Sequence, residues 1–277
     1  MLKLLLTICL AAALVMLGAP QLHRLGGAYI LSDSDHADVM VSHPASPQRT
    51  VSVLFVGNSL TFVNDMPAML ANIASSDTSS SAALQIKAIT YPGAKLDYMY
   101  SQTPALAWAR RHHVDFVVLQ EHSNWYDTQP GFQDALDSAA DWAGAVRSLN
   151  EEPIYFQIWA EGSGSSIYSN RNYVTFGRTP AEESAADSEG TARLAAKLGM
   201  SYAPVGDAFE RAAETPGAPD LYGPDRRHPS LAGSYLAALV FYKLFTGRTG
   251  AEATYHPWGM SDADAALLVR ISSSVGH

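Results

Sequence analysis

Three short and almost wholly apolar runs, at 51–56, 114–119 and 154–159, set the strongest limit on how this chain folds. A strand that is apolar at nearly every position is buried on both faces. That is the condition of a parallel sheet covered by helices on either side. The segments between the runs suit that role. Apolar residues at helical spacing predict helices over 66–74, 132–149 and 181–198, and one over 96–112 carried by Leu96, Met99, Tyr100 and Leu106. Residues 84–89 alternate and read as a further strand, and 201–205 as a short fifth. Helices over 231–245 and 262–271 close the chain. Strands spaced by helices predict one α/β domain of the doubly wound type, in which ligands bind beyond the carboxyl ends of the strands. Ser59, Gly93, Gln120 and Trp159 all lie at or just past predicted strand ends.

The domain is expected over 51–277, with a different kind of sequence before it. Met1-Leu2-Lys3 is a short basic start, and residues 4–17 are apolar but for Thr7. That run falls short of the roughly 20 residues of a membrane-spanning helix. It reads as a signal sequence over 1–28, cleaved after Ala19 or Ala28 or kept as an anchor, because Leu17 fits the small-residue rule poorly. The expected location is secreted or periplasmic, with membrane contact only through a retained anchor. Residues 29–50 read as a polar tether. The single cysteine, Cys9, sits inside the leader, so the domain has no thiol for disulfides, thiolate catalysis or thiolate metal sites. Apolar residues make up 47 % of the 277, enough for a sizeable core, and the net charge of −9 argues against a nucleic-acid partner.

Two motifs carry chemistry. Gly57-Asn58-Ser59-Leu60-Thr61 follows the first strand and sets a serine where strand gives way to helix. A serine hydroxyl needs a base to become a nucleophile. Asp225-Arg226-Arg227-His228-Pro229-Ser230 supplies one, with an acid three residues before the imidazole to hold Nδ1 and leave Nε2 free. Each motif has a plainer reading. Ser59 would cap the following helix, and His228-Pro229-Ser230 would be a helix start. Arg226 and Arg227 read as solvated charges. The pattern is not the Gly-x-Ser-x-Gly elbow, since Thr61 stands where its second glycine falls. His112, His113 and His122 show no metal-ligand spacing, and no metal or cofactor is expected.

Together these motifs resemble the SGNH, or GDSL-like, hydrolase superfamily: Gly-Asn-Ser-Leu-Thr after the first strand, an isolated glycine after the second, and Asp-x-x-His-Pro-Ser near the end. The resemblance spans about residues 51–245. It implies a flavodoxin-like three-layer α/β/α domain with a mainly parallel sheet, here of about five strands. It also implies a metal-free serine esterase or deacetylase with Ser59, His228 and Asp225 as its triad. By the same resemblance the oxyanion hole would use the N–H groups of Ser59 and Gly93 and a side-chain amide after the third strand. There the sequence departs from the family's usual Gly-x-Asn-Asp and reads Gln120-Glu121-His122-Ser123-Asn124, closer to the sialate and carbohydrate O-acetylesterase branch. Gln120 is the expected third donor, with Asn124 as the alternative.

The stretch 161–178 is glycine- and serine-rich, carries Tyr168, Arg171, Tyr173 and Phe176, and should overhang the same rim. It is expected either to shape the substrate site or to pack only on itself. His122, Trp159 and Tyr173 are expected to touch substrate, Trp159 as a floor for a sugar ring. The expected activity is removal of acetyl or other small acyl groups from carbohydrate. An acyltransferase or lipase-like acyl hydrolase built from the same parts is the alternative. A non-catalytic carbohydrate-binding envelope protein is a further one.

Overall fold

Alternation along one strand builds both sides of the core at once. In β2 (Arg49–Gly57) Val51, Val53 and Phe55 join one apolar cluster, while Leu54 and Val56 join the other. The structure, a computed structural model, describes residues 39–43, 47–122 and 128–276. The expectations for residues 1–28, most of the tether and Asn124 lie outside the described residues. The other strands are β1 (Met40–Val41), β3 (Ala82–Thr90), β4 (Phe116–Leu119), β5 (Glu152–Phe156) and β6 (Ser201–Ala203), in the order β1-β3-β2-β4-β5-β6. From β3 to β6 every pairing is parallel, with Val53 opposite both Ile86 and Phe116.

The sheet has six strands rather than five. Met40 and Val41, within the stretch read as a tether, pair antiparallel with Ile86 and Gln85 at the edge. Two residues are too few to show a period, and their pairing depends on an edge far along the chain.

One face of the sheet carries α2 (Met66–Ser76), α7 (Val205–Ala213), α8 (Leu231–Thr246) and α9 (Asp262–Ser274). The opposite face carries α3 (Leu96–Gln102), α4 (Ala105–His112) and α5 (Gln129–Arg147), with α6 (Pro180–Leu198) adding Leu194. The single helix expected over 96–112 is two helices. Pro104 has no N–H to donate and clashes with the preceding turn, and Thr103 before it is extended at φ −126°, ψ 162°. The fifth strand stops at Ala203, and α7 starts just after Pro204. That helix was not expected. Its buried Val205, Ala208, Phe209 and Ala212 fall at i, i+3, i+4 and i+7, so the signal was present. Among the described residues no helix is long and apolar enough to cross a membrane.

Leaving β1 aside, the order is that of flavodoxin-like sheets, whose switch point lies between the strand that opens the fold and its neighbour on the other side. Here those strands are β2 and β4. Ser59 follows the first and Gln120 the second.

Candidate active site

The strand-to-helix turn after β2 is capped by Asn58, not by Ser59. Asn58 is extended at φ −133°, and its Oδ1 accepts the Leu60 N–H at 3.1 Å. Ser59 is thus the first residue of the short helix α1 (Ser59–Phe62), and its hydroxyl is left for other work. His228 meets it there from 169 positions away, with Nε2 2.8 Å from Ser59 Oγ. On the far side of the ring Nδ1 lies 2.5 Å from Asp225 Oδ2. The other carboxylate oxygen, Oδ1, accepts the backbone N–H groups of His228 at 3.0 Å and Arg227 at 3.1 Å. Burial pushes the Asp225 carboxyl up, but the imidazole and the two N–H donors outweigh it and hold its pKa below the ordinary value. The serine, the histidine and the aspartate therefore form one hydrogen-bonded line.

The helix start read in His228-Pro229-Ser230 is also present, one step on. Ser230 caps α8 by accepting the Gly233 N–H at 3.2 Å, which leaves His228 in the turn before it. The turn is narrow. Gly223 N–H donates to the His228 carbonyl at 2.7 Å, Tyr222 bridges to Pro229, and Arg226 sits in the left-handed region at φ 61°. Asn64, also left-handed at φ 57°, links the two halves of the site. Its Nδ2 reaches the Pro229 carbonyl and Ser234 Oγ, both at 3.0 Å.

Gly93 is tied to the same turn as the serine. A Pro-Gly turn with Gly93 at φ 67° closes by an Ala94 N–H to Tyr91 carbonyl bond of 3.1 Å. Tyr91 N–H donates to the Gly57 carbonyl at 3.1 Å, and Asn58 Nδ2 donates to the Ala94 carbonyl at 2.9 Å. As first residue of a helix, Ser59 has an N–H with no intrahelical acceptor, beside the glycine turn. Asn58 thus caps one element and holds the next, a double use that no local pattern in the sequence marks.

Gln120 is a correction. It is 0 % exposed, and its Oε1 accepts the Asn58 N–H at 2.8 Å and the Thr61 hydroxyl at 3.0 Å. A backbone N–H can only donate, so this fixes which end of the amide is oxygen. The NH₂ end turns away and donates to the Glu121 carbonyl. Gln120 braces the serine turn from below and is closed to a bound ligand. Glu121 follows, buried, and accepts the N–H groups of His122 at 2.6 Å and Leu96 at 3.2 Å. Burial pushes its carboxyl up to about 7. His122 is part-buried at this strand end, beside the 123–127 segment that lies outside the described residues.

Trp159 is a second correction. It is 3 % exposed, stacks on Phe209 at 4.2 Å between ring centroids, and donates its Nε1–H to the Arg227 carbonyl at 3.0 Å. It supports the histidine turn and offers no face to a sugar. Arg226 and Arg227 are not free solvated charges either. Arg226 pairs with Asp220 at 2.6 Å, and Arg227 Nε pairs with the buried Glu161 at 2.5 Å. The 161–178 stretch is a folded loop with a 3-10 turn at Ser166–Tyr168, closed by Tyr168 hydroxyl to Glu161 carbonyl at 2.6 Å. It exposes Tyr173, Val174 and Phe176. His112 stacks on Trp108 at 4.1 Å.

Comparison with solved structures places the fold among known ones. A protein from Slackia heliotrinireducens assigned as an SGNH hydrolase is 30 % identical, with a TM-score of 0.57 over 70 % of this chain and 98 % of that one. A DUF4886 family protein from Bacteroides uniformis is 15 % identical, with a TM-score of 0.66 over 80 % of this chain and 93 % of that one. An acetylxylan esterase from Geobacillus stearothermophilus is 13 % identical, with a TM-score of 0.51 over 72 % and 94 %. The last two share the fold. No protein-family model and no curated protein matches the chain. The chain belongs to the SGNH, or GDSL-like, hydrolase superfamily, and is a serine hydrolase of the class acting on ester bonds.

Proposed function

We propose that the chain is a secreted esterase that removes acetyl or other small acyl groups from carbohydrate, with Ser59 as nucleophile, His228 as base and Asp225 as the group that orients it. The observation that carries this reading is the hydrogen-bonded line from Ser59 Oγ through the imidazole to Asp225. Carbohydrate as the alcohol is supported by the fold shared with the acetylxylan esterase, and export by the N-terminal leader.

His228 Nε2 takes the Ser59 proton as Oγ bonds to the ester carbonyl carbon, and the carbonyl electron pair moves onto its oxygen. The N–H groups of Ser59 and Gly93 receive that charge. When the tetrahedral adduct collapses, the C–O bond to the sugar breaks and Nε2–H protonates the departing alkoxide. Water, deprotonated by the same nitrogen, then attacks the acyl-enzyme and releases the acid. Asp225, ionised well below neutral pH, stabilises the imidazolium in both halves.

The test is Ser59→Ala against an aryl acetate and an acetylated xylo-oligosaccharide. The expected result is a loss of about 10⁴-fold or more in kcat, with circular dichroism and melting unchanged. Turnover at the wild-type rate in that variant would reject the reading.

A further inference from the structure

We propose that Glu161 is a positioning residue for the base, acting through the guanidinium of Arg227, an inference that rests on the reading of Ser59 and His228 given above. Glu161 follows β5 on the active-site rim and is 2 % exposed. A carboxylate that deep is costly unless a cation meets it, so its partner is held in one place. That partner is Arg227, the residue joined directly to His228, with Nε at 2.5 Å. The remaining carboxylate oxygen of Glu161 accepts the Ser165 hydroxyl, which stops the group from turning.

Arg227 is thereby fixed at three points. Its side chain is held by Glu161, its N–H by Asp225 Oδ1 at 3.1 Å, and its carbonyl by Trp159 Nε1 at 3.0 Å. The surrounding strap runs the same way. Gly162 N–H meets the Arg226 carbonyl at 2.7 Å, Arg226 Nε meets the Ser163 carbonyl at 2.9 Å, and the Tyr222 hydroxyl meets the Ala160 carbonyl at 2.9 Å. Segment 159–163 and turn 222–228 are thus stitched together, and the Glu161–Arg227 ion pair is a charged stitch at the residue directly before His228. Left-handed Arg226 makes the turn one that surrounding contacts must hold in shape. A base displaced by about 1 Å loses on the order of 10²-fold in rate. The pair therefore acts on kcat more than on binding.

The experiment compares Glu161→Gln, Arg227→Gln, Arg227→Lys and the double variant Glu161→Gln with Arg227→Gln. It measures steady-state hydrolysis of an aryl acetate, melting, and the rate at which a fluorophosphonate labels Ser59. The two single Gln variants should lose about 10- to 100-fold in kcat, with KM within about threefold and labelling slowed in parallel. Arg227→Lys should recover most of the loss, and the double variant should be little worse than the poorer single, because the two groups act as a unit. Since Arg227 is partly exposed, its variants carry the test if Glu161→Gln does not fold. Losses confined to melting temperature, or single effects that multiply in the double variant, would overturn the inference. Label taken up at the wild-type rate by the variants overturns this inference alone. Wild-type protein that takes no label overturns the esterase reading, and this inference with it.

Discussion

A Cβ on Gly57 would lie 2.6 Å from Gln120 Oε1, 2.9 Å from Gln120 Cβ and 2.9 Å from Thr61 Oγ1. These groups hold the serine turn, since Gln120 Oε1 accepts both Asn58 N–H and Thr61 Oγ–H. Gly57→Ala must therefore push the carboxamide aside and release the Asn58 N–H, and Ser59 is the next residue along. The expected cost is about 1–3 kcal/mol in urea unfolding, together with a fall on the order of 10²-fold in kcat/KM. A variant as active and as stable as wild type would show that the turn has slack the contacts deny. The same contacts give Gln120 a bracing role that sequence by itself does not distinguish from that of a ligand-facing donor. A strand-end amide is equally able to face a ligand or the backbone beneath it, and only the position of the Asn58 N–H decides which.

Helix boundaries follow local chemistry wherever a single residue dominates. Thr179 opens α6 with a reciprocal cap. Its hydroxyl accepts the Glu182 N–H at 3.3 Å, while the Glu182 carboxylate accepts the Thr179 N–H at 2.7 Å. Thr179→Ala should cost about 1 kcal/mol in thermal or urea unfolding and leave ester hydrolysis unchanged. A loss of activity there would mean that the 161–178 loop depends on this helix end. Pro104 likewise divides α3 from α4 by its own covalent structure. The division could have been read from the sequence, as could α7 from its four apolar positions. By contrast, nothing local marks Met40–Val41 as a strand, because an edge pairing exists only once β3 is in place.

Across the whole molecule, Asp77 ties the end of α2 to α8 and to the segment beyond it. Fully buried, it accepts the Tyr242 hydroxyl at 2.6 Å, Arg248 Nε at 2.9 Å and the Ser79 hydroxyl at 2.6 Å. Burial pushes its carboxyl up, but these donors outweigh it and bring the pKa from 3.8 to about 2. The folded state therefore holds this proton less tightly than the unfolded chain. The stabilisation is complete above pH 3.8 and is lost as pH falls towards 2. Asp77→Asn should lose roughly 1.5–3 kcal/mol at pH 7, and its gap to wild type should narrow as the pH falls from 4 towards 2. Urea unfolding at stepped pH checks this, and a gap that stays constant would count against the charge as its cause.

Sequence alone determined the α/β class, five of the six strands, and the serine, the histidine and the aspartate as the groups to watch. The reason is that buried strands and strand-end motifs are written in consecutive residues. The tertiary structure alone decided whether positions 59 and 228 meet, which way Gln120 and Trp159 face, and that Arg227 has a buried partner. Those outcomes depend on the strand order and on where each segment after β5 comes to rest. Neighbours along the chain carry no record of a contact formed across 169 positions.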